Sequence, residues 1–435
     1  MVPPEGASVE AEVTIEEIRQ VLSTMPDGFF GANLFDHREA SAASRVICNR
    51  SPFRYYGPNC TNEADLFEAE CSRYFGSRYA HTTNSGTGAL MAALHALGVG
   101  PGDEVIVPGY LWIADCNAVL LRGAIPVMGE IDTTLNLDPA DLRRKINRRT
   151  KCIIAIHMAG APADMDAIGR VAGDYGIPTL EDFSQCVGGA VAGRMVGTIG
   201  SIGIASLQLN KMITCGEGGL VICNDEAYHA RVVSRTDLGN SRVGDAVDGS
   251  ADVNLTVGEG RRFNEISAAI MRVQLERLPG MLTRLREIKR YIKSQLQDLG
   301  NVTFRRIVDE DGDTGSTIAV MFDSPAERVR FQDASSSLFQ RGELQTVGLV
   351  DAGCHIYYNC ETIVRKVPAL PGGFPWSLPE NSNSTNYSYD KGLLPVTDSL
   401  IERTISFSIP PDITEVQVDA WVAGFTAVCQ ELDAA

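Results

Sequence analysis

At 435 residues, with 44% hydrophobic and 21% charged side chains, the chain has the balance of a globular protein and apolar content enough for more than one packed unit. Its formal net charge of −17 repels phosphate backbones and anionic headgroups, so neither a nucleic acid nor a membrane is expected as a partner. The opening "MVPPEGASVE" lacks a basic start and an apolar run, and no segment reaches the length of a membrane span. Eleven scattered cysteines without a C-x-x-C pair suit a reducing cytoplasm and argue against a disulfide framework or a metal site.

The first 60 residues hold one clear helical pattern, "TIEEIRQVLSTM", followed by an irregular aromatic segment, "SPFRYYGPN". From about residue 80 onward, short apolar runs alternate with amphipathic stretches. "GTGALMAALHALG" (86–98) reads as a helix, while "EVIVPG" (104–109), "IPVMGEID" (125–132) and "CIIAIHMAG" (152–160) read as strands. "DMDAIGRVAGDYG" (164–176) has helical spacing with Gly176 as its stop, and "IPTLEDFSQ" (177–185) is a strand ending in polar residues. This alternation predicts βαβ units and a largely parallel sheet, with ligands beyond the carboxyl ends of the strands. "SIGIASLQL" (201–209) and "GGLVICND" (218–225) are joined by a short glycine-bearing link, which opens them to a different pairing.

Residues 281–299 predict a long charged amphipathic helix that leaves the first unit. The strand "STIAVMFD", a helix near 325–341, the strand "RTISFSIPP" and a final helix then make a smaller α+β unit. Within it, 369–392 is rich in Pro, Gly, Asn and Ser and reads as a long functional or mobile surface loop. The division expected is an N-terminal segment (1–60) packed on the small domain or a dimer partner, a large domain (61–280) and a small domain (281–435).

Chemistry-bearing residues fall at successive strand ends. "TNSGTGAL" puts Asn84, Ser85, Gly86 and Thr87 at a helix start, where free N–H groups, hydroxyls and the dipole suit a phosphate. The same pattern is also that of a plain N-cap with a glycine turn. Trp112 follows a strand in "PGYLWIADCNA" and suits either a core position or a stacking face. Asp182 ends the strand in "TLEDFSQ", with Gln185 three residues on, and Lys211 stands five residues beyond Ser206, just before "GEGG". Each alone has a bland alternative, a helix cap for Asp182 and a solvated charge for Lys211.

Together and in this order they make up a kit for pyridoxal 5′-phosphate (PLP): a lysine to form a Schiff base, and an acid to keep the ring nitrogen protonated. The blocks "NSGTGAL", "GVGPGDEVIVP", "GAIPV", "TKCIIAIHMAG", "LEDFSQ", "SLQLNK" and "GEGG", with the tail "RTISFSIPPDITEVQVDAWVAGF", resemble the DegT/StrS-type sugar and cyclitol aminotransferases. The resemblance implies an α/β fold of the PLP-dependent transferase type I, aspartate-aminotransferase-like, with a mostly parallel sheet in a large domain and a smaller α+β C-terminal domain. It implies Lys211 and Asp182 as the catalytic pair, Gln185 on the phenolic oxygen and Trp112 on the ring. Ser85, Gly86, Thr87 and Ser206 would hold the phosphate. It further implies a homodimer moving an amino group from glutamine or glutamate to a keto-sugar or keto-cyclitol, in the making of an amino-sugar or aminocyclitol antibiotic. The aromatic "SPFRYYGP" resembles the members that act on carbocycles.

One departure from the family pattern lies in "GEGRRFNE": Gly260 stands where members often place an asparagine that reaches the neighbouring subunit's phosphate, with Arg261 and Arg262 adjacent. His355, Tyr357 and Tyr358 in "CHIYYN", together with the 369–392 loop, are the candidates for acceptor recognition. Two rival functions remain: another PLP outcome such as elimination, retro-aldol cleavage or oxidation, and a non-catalytic regulator on the same fold. A nicotinamide oxidoreductase shares the βαβ pattern, but the chain has no G-x-G-x-x-G turn after the first strand.

Overall fold

The structure is a computed structural model and describes residues 14–434, apart from 240, 244–245, 249–254, 298, 300–302, 337 and 339–346. The opening "MVPPEGASVE" and the far end of the helix expected near 325–341 lie outside the described residues.

Seven strands form the larger sheet: β1 (Tyr79–Thr83), β2 (Glu104–Pro108), β3 (Ile125–Gly129), β4 (Thr150–Ile156), β5 (Thr179–Asp182), β6 (Ile202–Ser206) and β7 (Gly219–Cys223). Their spatial order is β1-β7-β6-β5-β4-β2-β3. The β2, β3, β4, β5 and β6 pairings are parallel, whereas β7 runs against both β6 and β1. The short 207–218 link is the reason: it returns the chain at once, and only an antiparallel neighbour can be reached without a crossover. Central strands read as continuous apolar runs because helices cover both faces, as expected of a parallel sheet. One covering helix, α1 (Gly86–Ala96), buries every residue from Gly88 to Leu94, so it shows no polar face.

A second helix, α2 (Ile113–Leu121), follows β2 and packs on α1. The smaller sheet holds β8 (Thr303–Phe304), β9 (Thr317–Met321), β10 (Val347–Gly348) and β11 (Thr404–Ser408) in the order β8-β9-β11-β10, all antiparallel. Between the sheets runs α3 (Glu265–Leu296), 32 residues long, and the chain closes with α4 (Glu415–Ala434). The helix Ile15–Leu22 packs on α4, and the helix His37–Cys48 packs on α3.

The expected division at 280 falls inside α3, which passes through Pro279 and Gly280 without ending. Residues Leu349, Ile356, Tyr357, Ile363 and Ile401, expected in the small unit, join the core that also contains α1 and β2. The small sheet is therefore smaller than 281–435, and much of that stretch caps the larger sheet.

Candidate active site

A cavity of about 800 Å³ opens beyond the carboxyl ends of β4, β5 and β6. Its lining includes Ser85, Gly86, Thr87, Trp112, Asp182, Gln185, Ser206, Lys211 and His355. Strand register explains how residues so distant in sequence meet. Thr83 lies opposite Gly219, and Gly219 lies opposite Ser206, so the loop after β1 and the end of β6 share one row. Ser85 then caps α1 by accepting the Gly88 N–H at 3.0 Å, which turns the first N–H groups of the helix toward the cavity. Glycine makes the approach possible: a Cβ on Gly86 would lie 2.6 Å from the Ser206 Cβ, and one on Gly219 would lie 2.2 Å from the Ser85 carbonyl oxygen.

Lys211 sits on the 207–218 link, which is folded back by Leu207 N–H to Gly218 O (2.9 Å) and Leu209 N–H to Gly216 O (3.1 Å). Gly216 supplies the left-handed backbone of that turn, with φ near 90°. The Lys211 carbonyl is fixed from outside by Gly31 N–H at 3.1 Å, so the N-terminal segment holds the lysine loop in place. Burial lowers the Lys211 pKa from its ordinary value, against the opposing pull of Asp182 and Asp115.

Asp182 ends β5, paired in register with Ile156 on one side and Ile204 on the other. Its Oδ1 accepts the Ser184 N–H at 2.8 Å, and the Ser184 hydroxyl in turn accepts the Ser206 N–H at 2.8 Å. Gln185 Oε1 accepts the Ala159 N–H at 3.1 Å. The turn around Ala159, itself at φ 51°, is gripped by the buried Arg305, which donates to the carbonyls of Met158 and Ala159. Asp115, fully buried on the first turn of α2, lies close enough to Asp182 for the two carboxyls to act on each other. Burial, reinforced by the Asp182 charge, raises the Asp115 carboxyl well above the usual range.

The exposed Trp112 borders the cavity, its ring 4.8 Å from that of His355. His355 Nδ1 lies 3.1 Å from the Ala352 carbonyl oxygen, and burial lowers its pKa, so the ring is neutral with Nδ1–H as donor. Tyr357 and Tyr358, expected beside it, do not line the cavity. The Tyr357 ring is buried in the core with its hydroxyl on Asp398 at 3.0 Å, and Tyr358 turns toward the Lys391 ammonium. The 369–392 loop is also absent from the lining. It is pinned to the far edge of the sheet instead: Asn381 accepts from Gly102 N–H and donates to Gly123 O, and the Tyr389 hydroxyl donates to Pro126 O at 2.8 Å.

The "GEGRRFNE" segment lies beside the chain's own helix start. Asn84 N–H donates to Arg261 O at 3.1 Å, and the Arg261 guanidinium pairs with Glu259 and meets the Met91 sulfur at 3.2 Å. Arg262 pairs with Asp237 and lies over the Phe53 ring. Arg54, in the aromatic "SPFRYYGP", belongs to a buried cluster with Glu68, Thr82 and His81 that supports β1 from below, away from the cavity. Sequence reasoning missed Asp115, Arg305 and this cluster. For Asp115 a signal existed, an acid inside the largely apolar "IADCNAVLL" helix.

A seven-stranded sheet with one reversed strand, a small antiparallel sheet and a lysine on the reversing link define an aspartate-aminotransferase-like fold, the type I fold of PLP-dependent transferases. The aminotransferase from Psychrobacter cryohalolentis superposes with a TM-score of 0.76 at 26% identity, covering 92% of this chain and 98% of that one. A 3-amino-5-hydroxybenzoic acid synthase superposes with a TM-score of 0.74 at 25% identity, covering 94% and 100%. Residues 52–349 match the family model of the DegT/DnrJ/EryC1/StrS aminotransferases, and the chain belongs to that family.

In sequence it is 38% identical over 248 residues to the 3-amino-5-hydroxybenzoate synthase of Amycolatopsis mediterranei, covering 56% of this chain and 61% of the relative. It is 36% identical over 240 residues to the L-glutamine:scyllo-inosose aminotransferase of Streptomyces griseus, covering 54% and 56%. These matches thus span about three-fifths of the relatives' own lengths. Members of the family use PLP, and the residues present fit it. The start of α1, the hydroxyl-bearing Ser85, Thr87 and Ser206, the amine of Lys211, the carboxyl of Asp182 and the indole of Trp112 all line the cavity. The gap that glycine keeps between Gly86 and Ser206 would be filled by a Cβ.

Proposed function

We propose that this chain is a PLP-dependent aminotransferase that moves an amino group from glutamine or glutamate to a keto-cyclitol or keto-sugar. The placement of Lys211 and Asp182 on one cavity, with a helix start at its end, is the observation that carries the reading. We take the protein to work as a cytoplasmic homodimer making an amino-sugar or aminocyclitol natural product. The Streptomyces griseus and Amycolatopsis relatives support the acceptor class. Among the described residues no helix is long and apolar enough to cross a membrane.

In this reading the first-turn N–H groups of α1, with the hydroxyls of Ser85, Thr87 and Ser206, would hold the phosphate. Asp182 would face the ring nitrogen, Gln185 the phenolic oxygen, and Trp112 one ring face. When bound, PLP supplies an electron sink for the pair left at the amino carbon. Lys211 would anchor the cofactor, and its Nζ, when free, would take up a proton and give it back. Burial lowers the Lys211 pKa and so favours the neutral amine, the form that can accept a proton and return it. His355, neutral and fixed by Ala352, presents Nε2 as an acceptor for a hydroxyl of the incoming acceptor. Tyr357 and Tyr358 have no part in that contact.

The test is to add glutamine alone to the holoenzyme. One oxo acid should be released per site, with the visible absorbance moving to that of the pyridoxamine form. Adding a keto-cyclitol or keto-sugar should restore the spectrum and yield an amine. If no donor converts the cofactor while a candidate substrate loses water, carbon or hydride, the aminotransferase reading fails.

A further inference from the structure

Among the described groups of the site, Asp115 has no role in the chemistry above, yet it is the more deeply buried of two carboxyls in contact. It has no exposed surface, and it occupies the first turn of α2, packed under the cavity floor. Its Oδ2 takes a long contact from Trp112 N–H at 3.4 Å, and its Oδ1 is buried and receives no donor from the protein. The charged group that acts on it most strongly is Asp182, whose Oδ1 is already engaged by Ser184 N–H.

Two facing carboxylates cannot both ionise in such a place, because neither has a donor to offer the other and their charges repel. A single proton resolves this: it lies on Asp115, the more deeply buried carboxyl and the one with the longer N–H contact, and that carboxyl then donates to its neighbour. Lys211 lies close enough to feel both carboxyls, and the thiols of Cys116 and Cys360 feel the Asp115 charge. Burial keeps both thiols protonated, raising Cys360 to about 12, so they add no charge to the pair.

We propose that Asp115 is a positioning residue: a protonated carboxylic acid that donates a hydrogen bond to Asp182, fixing its rotamer and spreading its charge where it meets the cofactor's ring nitrogen. This rests on the reading of Asp182 as the partner of that nitrogen. The acid beneath sets how strongly Asp182 holds the ring proton, and it gives the site one negative charge from two carboxyls.

Two measurements test it. Infrared difference spectra of the apo-protein, wild type minus Asp115→Asn, should show loss of a protonated carboxylic-acid carbonyl band that shifts in D2O. Loss of an ionised carboxylate band would overturn the proposal. This arm needs no cofactor, so it stands even if the protein never binds PLP, an outcome that would sink the functional reading instead. In the second arm, Asp115→Asn and Asp115→Leu are reloaded with PLP and their visible absorbance is titrated with pH. The amide keeps a donor and should titrate as wild type. The leucine variant loses a hydrogen bond to a charged group, and its midpoint should move by about 1 pH unit. Equal displacement in both variants, or displacement in neither, would show that donation to Asp182 is not the role of Asp115.

Discussion

Replacing Gly219 by alanine should separate the phosphate-holding loop from its site while leaving every polar side chain of the cavity intact. A Cβ at this position would lie 2.2 Å from the Ser85 carbonyl oxygen and 2.5 Å from Thr83 Oγ1. Reaching van der Waals separation requires the Ser85 carbonyl, and the helix start behind it, to retreat by about 1 Å. Overpacking of this kind costs about 1–3 kcal/mol of stability. The larger effect falls on the cofactor: each charge-assisted hydrogen bond lost from the phosphate removes about 1.5–3 kcal/mol, or about 10- to 100-fold in affinity. The assay is equilibrium urea unfolding of the apo-protein beside a fluorescence titration with PLP. Gly169→Ala is the control, in the interior of the Met165–Tyr175 helix with nothing within 4 Å of a new Cβ, and it should stabilise by about 0.5–1 kcal/mol without touching affinity. Wild-type PLP affinity in Gly219→Ala would refute the placement of the phosphate at the end of α1.

Asp182→Asn should retain PLP but lose turnover by about 10²-fold or more, because a neutral amide cannot balance a protonated ring nitrogen; retained turnover in a half-reaction assay would exclude that role. Arg54→Met leaves Glu68 buried without its cation and should cost about 3–5 kcal/mol at pH 7 by urea unfolding. Glu68 is held down to about 2 in the native protein, so its contribution is present above the usual carboxylate range and is lost as pH falls toward 2. The variant's deficit should therefore narrow on acidification, and a deficit flat in pH would contradict the pairing. Burial lowers the Lys211 pKa, so below the ordinary lysine value of 10.5 the folded apo-protein binds fewer protons than the unfolded chain and loses stability as pH falls toward the lowered value. Lys211→Met should remove that slope from the apo-protein's stability curve, and an unchanged slope would place the effect elsewhere.

The order of motifs made the parallel sheet and the lysine link legible, because each βα turn carries its own punctuation. Gly176 ends the Met165–Tyr175 helix in the left-handed conformation, as its position foretold. Where the sequence misled, a local signal was overridden by packing. The helix was expected only over 281–299, but α3 starts at Glu265 and runs through Pro279 because one face buries Leu275, Leu278, Met281 and Leu282 in sequence. The 369–392 composition reads as loose, yet Asn381 and Tyr389 satisfy backbone groups at the sheet edge, a long-range pairing that no window can show. "YY" at 357–358 reads as a binding surface, but a tyrosine with a buried acceptor such as Asp398 fits the core equally well. Arg305 was illegible for the same reason, and the acid at Asp115, though visible, could not be tied to Asp182, 67 residues on in the chain.

The central claim is that Lys211 carries the cofactor, and borohydride reduction of the holoenzyme followed by peptide mapping tests it most directly. The pyridoxyl group should be found on the peptide containing Lys211 and on no other, and Lys211→Ala should take up none. A pyridoxyl group on a different lysine, or none after loading with PLP, would contradict the account.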